Sequence, residues 1–179
     1  MKARNNATGA SKPVAQARIE TPLGPLTALA TERGLAGLWF DGQKHHPGPL
    51  AVPVNEHDPF IVQAKRELAR WFASPEQRRA GFAVPLDPQG TAFQRAVWQR
   101  LFEVGCGQVT SYGELARSLG MPSAARAVGA AVGRNPLLVI VPCHRALGSD
   151  GSLTGYAGGL TRKQALLALE GARAGGAQA

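Results

Sequence analysis

Cysteine is scarce in this chain: Cys106 and Cys143 are the only two among 179 residues. Two are too few for the disulfide framework of a small secreted protein. They also fall short of a four-ligand zinc site, and no CxxC or HxxxH spacing joins them to His45, His46, His57 or His144. No metal and no cofactor is expected. Long apolar runs are missing as well, since none approaches the roughly 18 residues of a membrane-spanning helix. The N-terminal stretch "MKARNNATGASKPVAQ" is polar, without the apolar centre of a secretory signal. The expectation is a soluble cytoplasmic protein with disordered tails at 1–17, which is basic, and at 174–179. Acidic charge is the last shortage, with 12 Asp and Glu against 20 Lys and Arg, a net charge of +8. Residues 1–18 carry +4, residues 19–90 carry −1 and residues 91–179 carry +5. A basic C-terminal half suits a polyanion such as nucleic acid. Solubility alone accounts for the charge about as well.

The remaining chain reads as two units, an N-terminal α/β domain at 18–88 and a C-terminal domain at 89–173, divided at the turn-rich "AVPLDPQG". "IETPLGPLTALATERGLAGLWF" predicts two strands turning around Glu32-Arg33-Gly34, followed by a Pro- and Gly-rich loop. "DPFIVQAKRELARWFAS" predicts a helix capped by Asp58, with Pro59 in its first turn and Ile61, Ala64, Leu68 and Trp71 or Phe72 on one face. Beyond the divide, Thr91…Gln94, Ser111…Glu114 and Thr161…Gln164 have the spacing of the capping box, so each predicts a helix start. Gly171 suits a left-handed terminator for the last helix.

"SYGELARSLGMPSAARAVGAAVG" has the outline of a helix-turn-helix, with Ser123 expected to cap its second helix. Apart from Arg126 and Arg134, that second helix is nearly all Ala, Gly and Val, so few side chains reach base edges. Small residues instead permit close approach to a shallow minor groove. An Ala/Gly-rich packing helix explains the composition equally well.

The chemistry concentrates at "NPLLVIVPCHRALG". Leu137 to Val141 is apolar and β-branched, which predicts a buried strand, and Pro142 ends it because it has no N–H for a ladder. Cys143 then stands at the strand mouth beside His144 and Arg145, both of which favour a thiolate. Neighbours on a strand face opposite ways, so Cys143 and His144 need a turn or a water between them. Glu170 is the candidate to orient the imidazole. A carboxylate in the last turn of a helix opposes the macrodipole, and a residue that breaks a local rule often has another task.

Taken in order, "FQRAVWQRL", "SYGELA", "AARAVGAAVGRNP", "IVPCHRALGSDGSLTGYAGGL" and "RKQALLALEG" resemble the O6-alkylguanine-DNA alkyltransferases, also called methylated-DNA–protein-cysteine methyltransferases. The likeness spans about residues 82–171, and "TPLGPLTALATERGLAGLWF" resembles that family's N-terminal domain. The resemblance implies an α/β (α+β) fold: a small RNase H-like sheet-plus-helix domain, then a mostly helical domain with the helix-turn-helix. It implies direct repair of O6-alkylguanine, and of O4-alkylthymine, in double-stranded DNA. The alkyl group passes irreversibly to Cys143, once per molecule, and the protein acts as a monomer.

Carried over by position, the resemblance assigns His144 to deprotonate Cys143 through a water and Glu170 to orient His144. Tyr112 would rotate the 3′ phosphate and hydrogen-bond the base at N3, and Asn135 would pin the turn around Pro142–Arg145. Arg126 would fill the stack left by the flipped base. Ser123, Ala125, Ala127, Gly129, Ala130 and Arg134 would lie along the minor groove with it. Val141, Pro142, Ala146, Tyr156, Ala157 and Gly158 would line the pocket. Ala157 stands where some relatives have a serine that donates to O6. A Cys-His hydrolase and a DNA-binding module without chemistry are the rival readings; the helix-turn-helix speaks against the first and the reactive cysteine against the second.

Overall fold

The structure, a computed structural model, describes residues 11–172. The parts of the expected tails at 1–10 and 174–179, and residue 173, lie outside them. No helix among the described residues is long and apolar enough to cross a membrane.

The N-terminal unit is built on a three-stranded antiparallel sheet in the order β1 (Pro13–Ile19), β2 (Leu26–Thr31), β3 (Leu35–Phe40). β2 and β3 meet at Glu32-Arg33-Gly34, where Thr31 N–H donates to the Gly34 carbonyl at 2.9 Å. β1 corrects the expected tail, because Pro13 to Ala17 are strand residues. The alternation is there, with Ala15, Ala17 and Ile19 buried and Arg18 exposed. Alanines make a faint apolar stripe, so only the pairing with β2 reveals it.

α1 (Pro59–Ala73) covers the sheet with Ile61, Ala64, Leu68 and Trp71. Asp58 caps it as expected, accepting from Phe60 N and Ile61 N at 3.0 and 3.1 Å. A short α2 (Pro75–Ala80), capped by Ser74, follows directly. The free edge of β3 is closed by other chain segments. Leu35 N–H donates to the Pro85 carbonyl at 2.8 Å, and Leu38 N–H donates to the Pro136 carbonyl at 2.7 Å. Covering an edge in this way removes a site for unwanted strand pairing. It also ties the C-terminal unit to the sheet just before Cys143.

The C-terminal unit comprises α3 (Ala92–Phe102), β4 (Thr110–Ser111), α4 (Tyr112–Ser118), α5 (Ala125–Gly133), β5 (Ala146–Leu147) and α6 (Leu160–Glu170). The capping boxes at Thr91/Gln94 and Ser111/Glu114 are both formed. The third is not. α6 starts at Leu160 with Gly159 as its cap, so Thr161 lies inside the helix. Gly159 turns the chain into the helix with φ 90°, its carbonyl accepts the first helical bond from Lys163 N at 3.1 Å, and no side chain caps the helix start. Gly171 does end α6, in the left-handed conformation at φ 70°. Ser123 is likewise not a cap. The cap of α5 is Ala124, whose N–H is held by the Met121 carbonyl at 2.9 Å, and no side chain bonds the helix end.

α4, the turn and α5 form the expected helix-turn-helix, and α3 packs behind it. Trp98 Nε1 donates to the Ala131 carbonyl at 2.9 Å, which fixes α3 against the end of α5. One apolar core runs through both units, from Ile19, Leu26 and Trp71 to Val128, Leu137 and Leu166.

Candidate active site

Residues 137–141 are fully buried but do not form the expected strand. Only Leu137 bridges to Leu38; beyond it the chain turns, with Val141 N–H donating to the Leu137 carbonyl at 2.9 Å. Asn135 causes the turn. Its Nδ2 donates to the Val141 carbonyl at 2.8 Å, and its Oδ1 accepts from Leu137 N at 3.0 Å. Hydrophobicity here reports burial rather than extension, and a short apolar run does not distinguish the two. Val139 pays for the geometry with φ 72°, a conformation a β-branched residue avoids and that costs about 1–3 kcal/mol.

The turn delivers Cys143 to the start of a 3₁₀ turn, Cys143–Arg145. β5 follows at once and pairs in parallel with β4, Thr110 opposite Ala146 and Ser111 opposite Leu147. β4 leads directly into Tyr112. This two-residue ladder therefore locks the cysteine turn to the first residue of the helix-turn-helix.

Cys143 is 3% exposed. Asn135 Nδ2 donates to its Sγ at 3.1 Å. Burial pushes the thiol up to about 11, against the Asn135 bond and the positive charge of Lys163. The free protein thus holds a neutral thiol, and the cation acting on it is Lys163 rather than the expected Arg145. Arg145 is engaged elsewhere. Its Nε and Nη2 donate to Glu170 at 2.9 and 2.6 Å, and its Nη1 donates to the Val104 carbonyl.

Glu170 receives His144 as well, with Nε2 3.0 Å from Oε1. The side chains of His144 and Glu170 are both 0% exposed. Burial alone would raise the Glu170 carboxyl, but the bonds from His144 and Arg145 reverse this and hold it at about 2. Burial lowers the His144 pKa more than Glu170 restores it, so the imidazole is neutral. A carboxylate only accepts hydrogen bonds, so the proton sits on Nε2. The lone pair is then on Nδ1, which is buried and has no partner among the described residues. A neutral base held by an ionised, cation-paired carboxylate is the arrangement a proton acceptor needs.

Lys163 was missed at the sequence level. It is fully buried, and Nζ donates to the carbonyls of Ala146 and Thr154 at 2.5 and 2.6 Å. Burial lowers its pKa to about 8. The signal was present, because Lys163, Leu166, Leu167 and Glu170 share one face of α6, and two charges on an apolar stripe need partners.

The other expected residues fall into two groups around this centre. Tyr112 has its hydroxyl 3.3 Å from Thr154 Oγ1, and its ring packs near Gly129. Val141, Pro142, Ala146 and Gly158 are buried, Tyr156 and Ala157 half-buried. The Tyr156 hydroxyl is buried without a partner, and burial, with Cys143 nearby, raises its pKa. On the outer side of α5, Arg126, Ala127, Ala130 and Arg134 are exposed and share a face. Ser123 before the helix is exposed too, and Ala125 and Gly129 are half-buried. Val128, Ala131 and Val132 point into the core. The small residues therefore serve both faces: Ala131 packs inward, while Ala127 and Ala130 lie on the surface beside Arg126 and Arg134.

A buried, hydrogen-bonded cysteine locked to a helix-turn-helix defines a protein that couples thiol chemistry to a nucleic-acid-binding fold. Two family descriptions match in succession: the ribonuclease-like domain of 6-O-methylguanine DNA methyltransferase over residues 14–88, and its DNA binding domain over residues 92–172. A methylated-DNA–protein-cysteine methyltransferase of Methanosarcina acetivorans is 44% identical over 154 residues, covering 86% of this chain and 96% of the relative. One of Mycobacterium tuberculosis is 43% identical over 157 residues, 87% of this chain and 92% of the relative. Among solved structures, that of M. tuberculosis OGT in complex with DNA superposes with a TM-score of 0.79 at 43% identity, covering 90% of this chain and 96% of that one. The chain belongs to the methylated-DNA–protein-cysteine methyltransferases, the O6-alkylguanine-DNA alkyltransferase family.

Proposed function

We propose that this protein repairs alkylated DNA by moving an alkyl group from O6 of guanine, or O4 of thymine, to Cys143, irreversibly and once per molecule. The observation that carries the reading is the single turn on which Asn135 holds the Cys143 sulfur while Glu170 holds the neighbouring His144.

Cys143 starts as a thiol. Its proton passes through one water to His144 Nδ1, and the imidazolium that forms lies against the Glu170 carboxylate. The thiolate attacks the alkyl carbon, a C–S bond forms, and the C–O6 bond breaks with its electron pair going to the purine. Tyr112 donates a hydrogen bond at N3 of the leaving base, which takes up that charge. A thioether has no leaving group of comparable ease, so the protein is consumed.

The alkyl carbon lies inside the duplex, where a buried thiol cannot reach it, so the nucleotide is rotated out of the stack. The exposed face of α5 enters the minor groove with Ser123, Ala125, Ala127, Gly129, Ala130 and Arg134 along it, and Arg126 fills the gap left by the base. The Ala146 carbonyl accepts from the guanine amine. Val141, Pro142, Tyr156, Ala157 and Gly158 close around the base, and a single copy of the chain is the working unit.

The test is intact and peptide mass spectrometry after mixing the protein with a duplex that contains one O6-methylguanine. The expected result is one added methylene on the Cys143 peptide, saturating at one per protein. Continuous release of product indicates a hydrolase instead. Lesion-specific binding without mass gain indicates a sensor.

A further inference from the structure

The N-terminal sheet supplies no side chain to the chemistry at Cys143, yet it holds one wall of the site. Lys44 N–H donates to the Ala157 carbonyl at 3.0 Å. Arg162, in the first turn of α6, spans the two units. Its Nε donates to the Leu23 carbonyl at 2.9 Å and its Nη1 to the Gly158 carbonyl at 2.9 Å. Its Cζ lies 4.4 Å from the centre of the Phe40 ring. Gly158 is itself closed in, since a Cβ there would come within 2.7 Å of Tyr156 Cε1 and 3.1 Å of Phe40 Cδ2. Sheet, Gly158 and Tyr156 thus form one line of contacts.

Among the described residues Arg162 has no carboxylate partner. Its donors go to two carbonyls from different units, and its Cζ lies over an aromatic ring. A planar guanidinium used in this way fixes a spacing, which a flexible ammonium does not. Its neighbour Lys163 anchors the other end of the same loop at Thr154, from within the C-terminal unit. The loop is therefore held at both ends, and one of the two anchors is the sheet.

We propose that Arg162 is a positioning residue through which the N-terminal sheet sets the place of the Tyr156–Gly158 wall, and so the range of alkyl groups that reach Cys143. The inference rests on the alkyl-transfer reading and on these residues lining the alkyl pocket. A methyl group fills little space, so only a close wall keeps its carbon in line with the sulfur at the roughly 3–3.5 Å that attack requires. A benzyl group fills the pocket by itself and depends less on the wall.

The experiment compares single-turnover transfer to Cys143 from duplexes carrying O6-methylguanine or O6-benzylguanine, with rates expressed per folded molecule. Arg162→Ala is expected to slow methyl transfer about tenfold, the scale of a sub-ångström misplacement. Benzyl transfer should fall much less, so the benzyl-to-methyl ratio rises several-fold. Affinity for undamaged duplex should stay within about twofold, because the exposed face of α5 is untouched. Arg162→Lys, which keeps the cation and can keep one carbonyl, should restore part of the ratio and serves if the alanine variant folds poorly. An unchanged ratio, whether rates hold or fall together with thermal stability, overturns the proposal and leaves Arg162 a structural strut. Wild-type protein that leaves Cys143 unmodified by either duplex overturns the alkyl-transfer reading itself, a result that involves no Arg162 variant.

Discussion

The two units bury polar groups for different ends. In the N-terminal unit Thr31, Gln43, Asp58 and Arg78 are buried, and each serves the backbone. Gln43 accepts from Phe40 N, Asp58 caps α1, Thr31 Oγ1 accepts from Arg33 N, and Arg78 donates to the Trp71 carbonyl. In the C-terminal unit Asn135, His144, Arg145 and Lys163 are buried: His144 and Arg145 meet on Glu170, Asn135 reaches the Cys143 sulfur, and Lys163 donates to the carbonyls of Ala146 and Thr154. Satisfying a backbone group stabilises a fold locally. Burying several charges together is expensive, and replacing such a set by apolar residues often stabilises a protein. Here the cluster surrounds Cys143, the cysteine proposed as the alkyl acceptor.

The largest effect should come from Cys143→Ser, which removes the nucleophile while leaving the cluster in place. Transfer is expected to disappear in the mass assay while binding to a lesion-bearing duplex survives. Loss of both would move Cys143 into the structural class of the N-terminal unit.

Glu170→Ala comes next, since it strands His144 and Arg145 without their acceptor. Removing one member of a buried charged set costs about 3–5 kcal/mol, which for a chain of this length lowers Tm by roughly 10 °C. The pH dependence follows from the sign of the shift. The carboxyl sits at about 2 in the fold against an ordinary 4.5. Its contribution is therefore whole above about pH 4.5 and lost as pH falls towards 2. Melting curves of wild type and Glu170→Gln should converge across that window, and a constant gap would contradict the ionised pairing.

Arg126→Ala sharpens the comparison from the DNA side. Capture of a lesion should weaken several-fold more than binding to undamaged duplex, measured by fluorescence anisotropy over a salt series. Equal losses, with the salt slope smaller by about 1, would make Arg126 an ordinary phosphate contact. The smallest effect belongs to Asp58→Ala. Loss of the cap should cost about 1 kcal/mol, visible in thermal denaturation, with the transfer rate per folded molecule unchanged. A slower transfer would show that α1 reaches the chemistry.

Legibility followed the range of the interaction. Asp58, Thr91/Gln94, Ser111/Glu114 and Gly171 were readable because a cap is decided within four residues. The same rule misplaced Thr161 and Ser123, because the chain enters these helices at a positive-φ glycine and at a closing turn, and neither start carries a side-chain cap. β1 was passed over because its buried face is two alanines and an isoleucine. Residues 137–141 looked like a strand because burial and extension favour the same β-branched residues, while the bonds of Asn135 that bend them do not show in composition.

At the site, Cys143 beside His144 and the misplaced charge of Glu170 marked the chemistry in the sequence alone, as did the helix-turn-helix with its small, Arg-bearing second helix. The sequence by itself therefore singled out the cysteine and histidine proposed as nucleophile and base, and the helix-turn-helix expected to meet DNA. Only the tertiary structure decided that Arg145 neutralises Glu170, that Lys163 is the cation near the sulfur, and that Arg162 reaches Leu23 across 139 positions of chain. Such contacts are set by which surfaces the apolar core brings together. A charge in a sequence announces only that it needs a partner, and folding decides which one it meets.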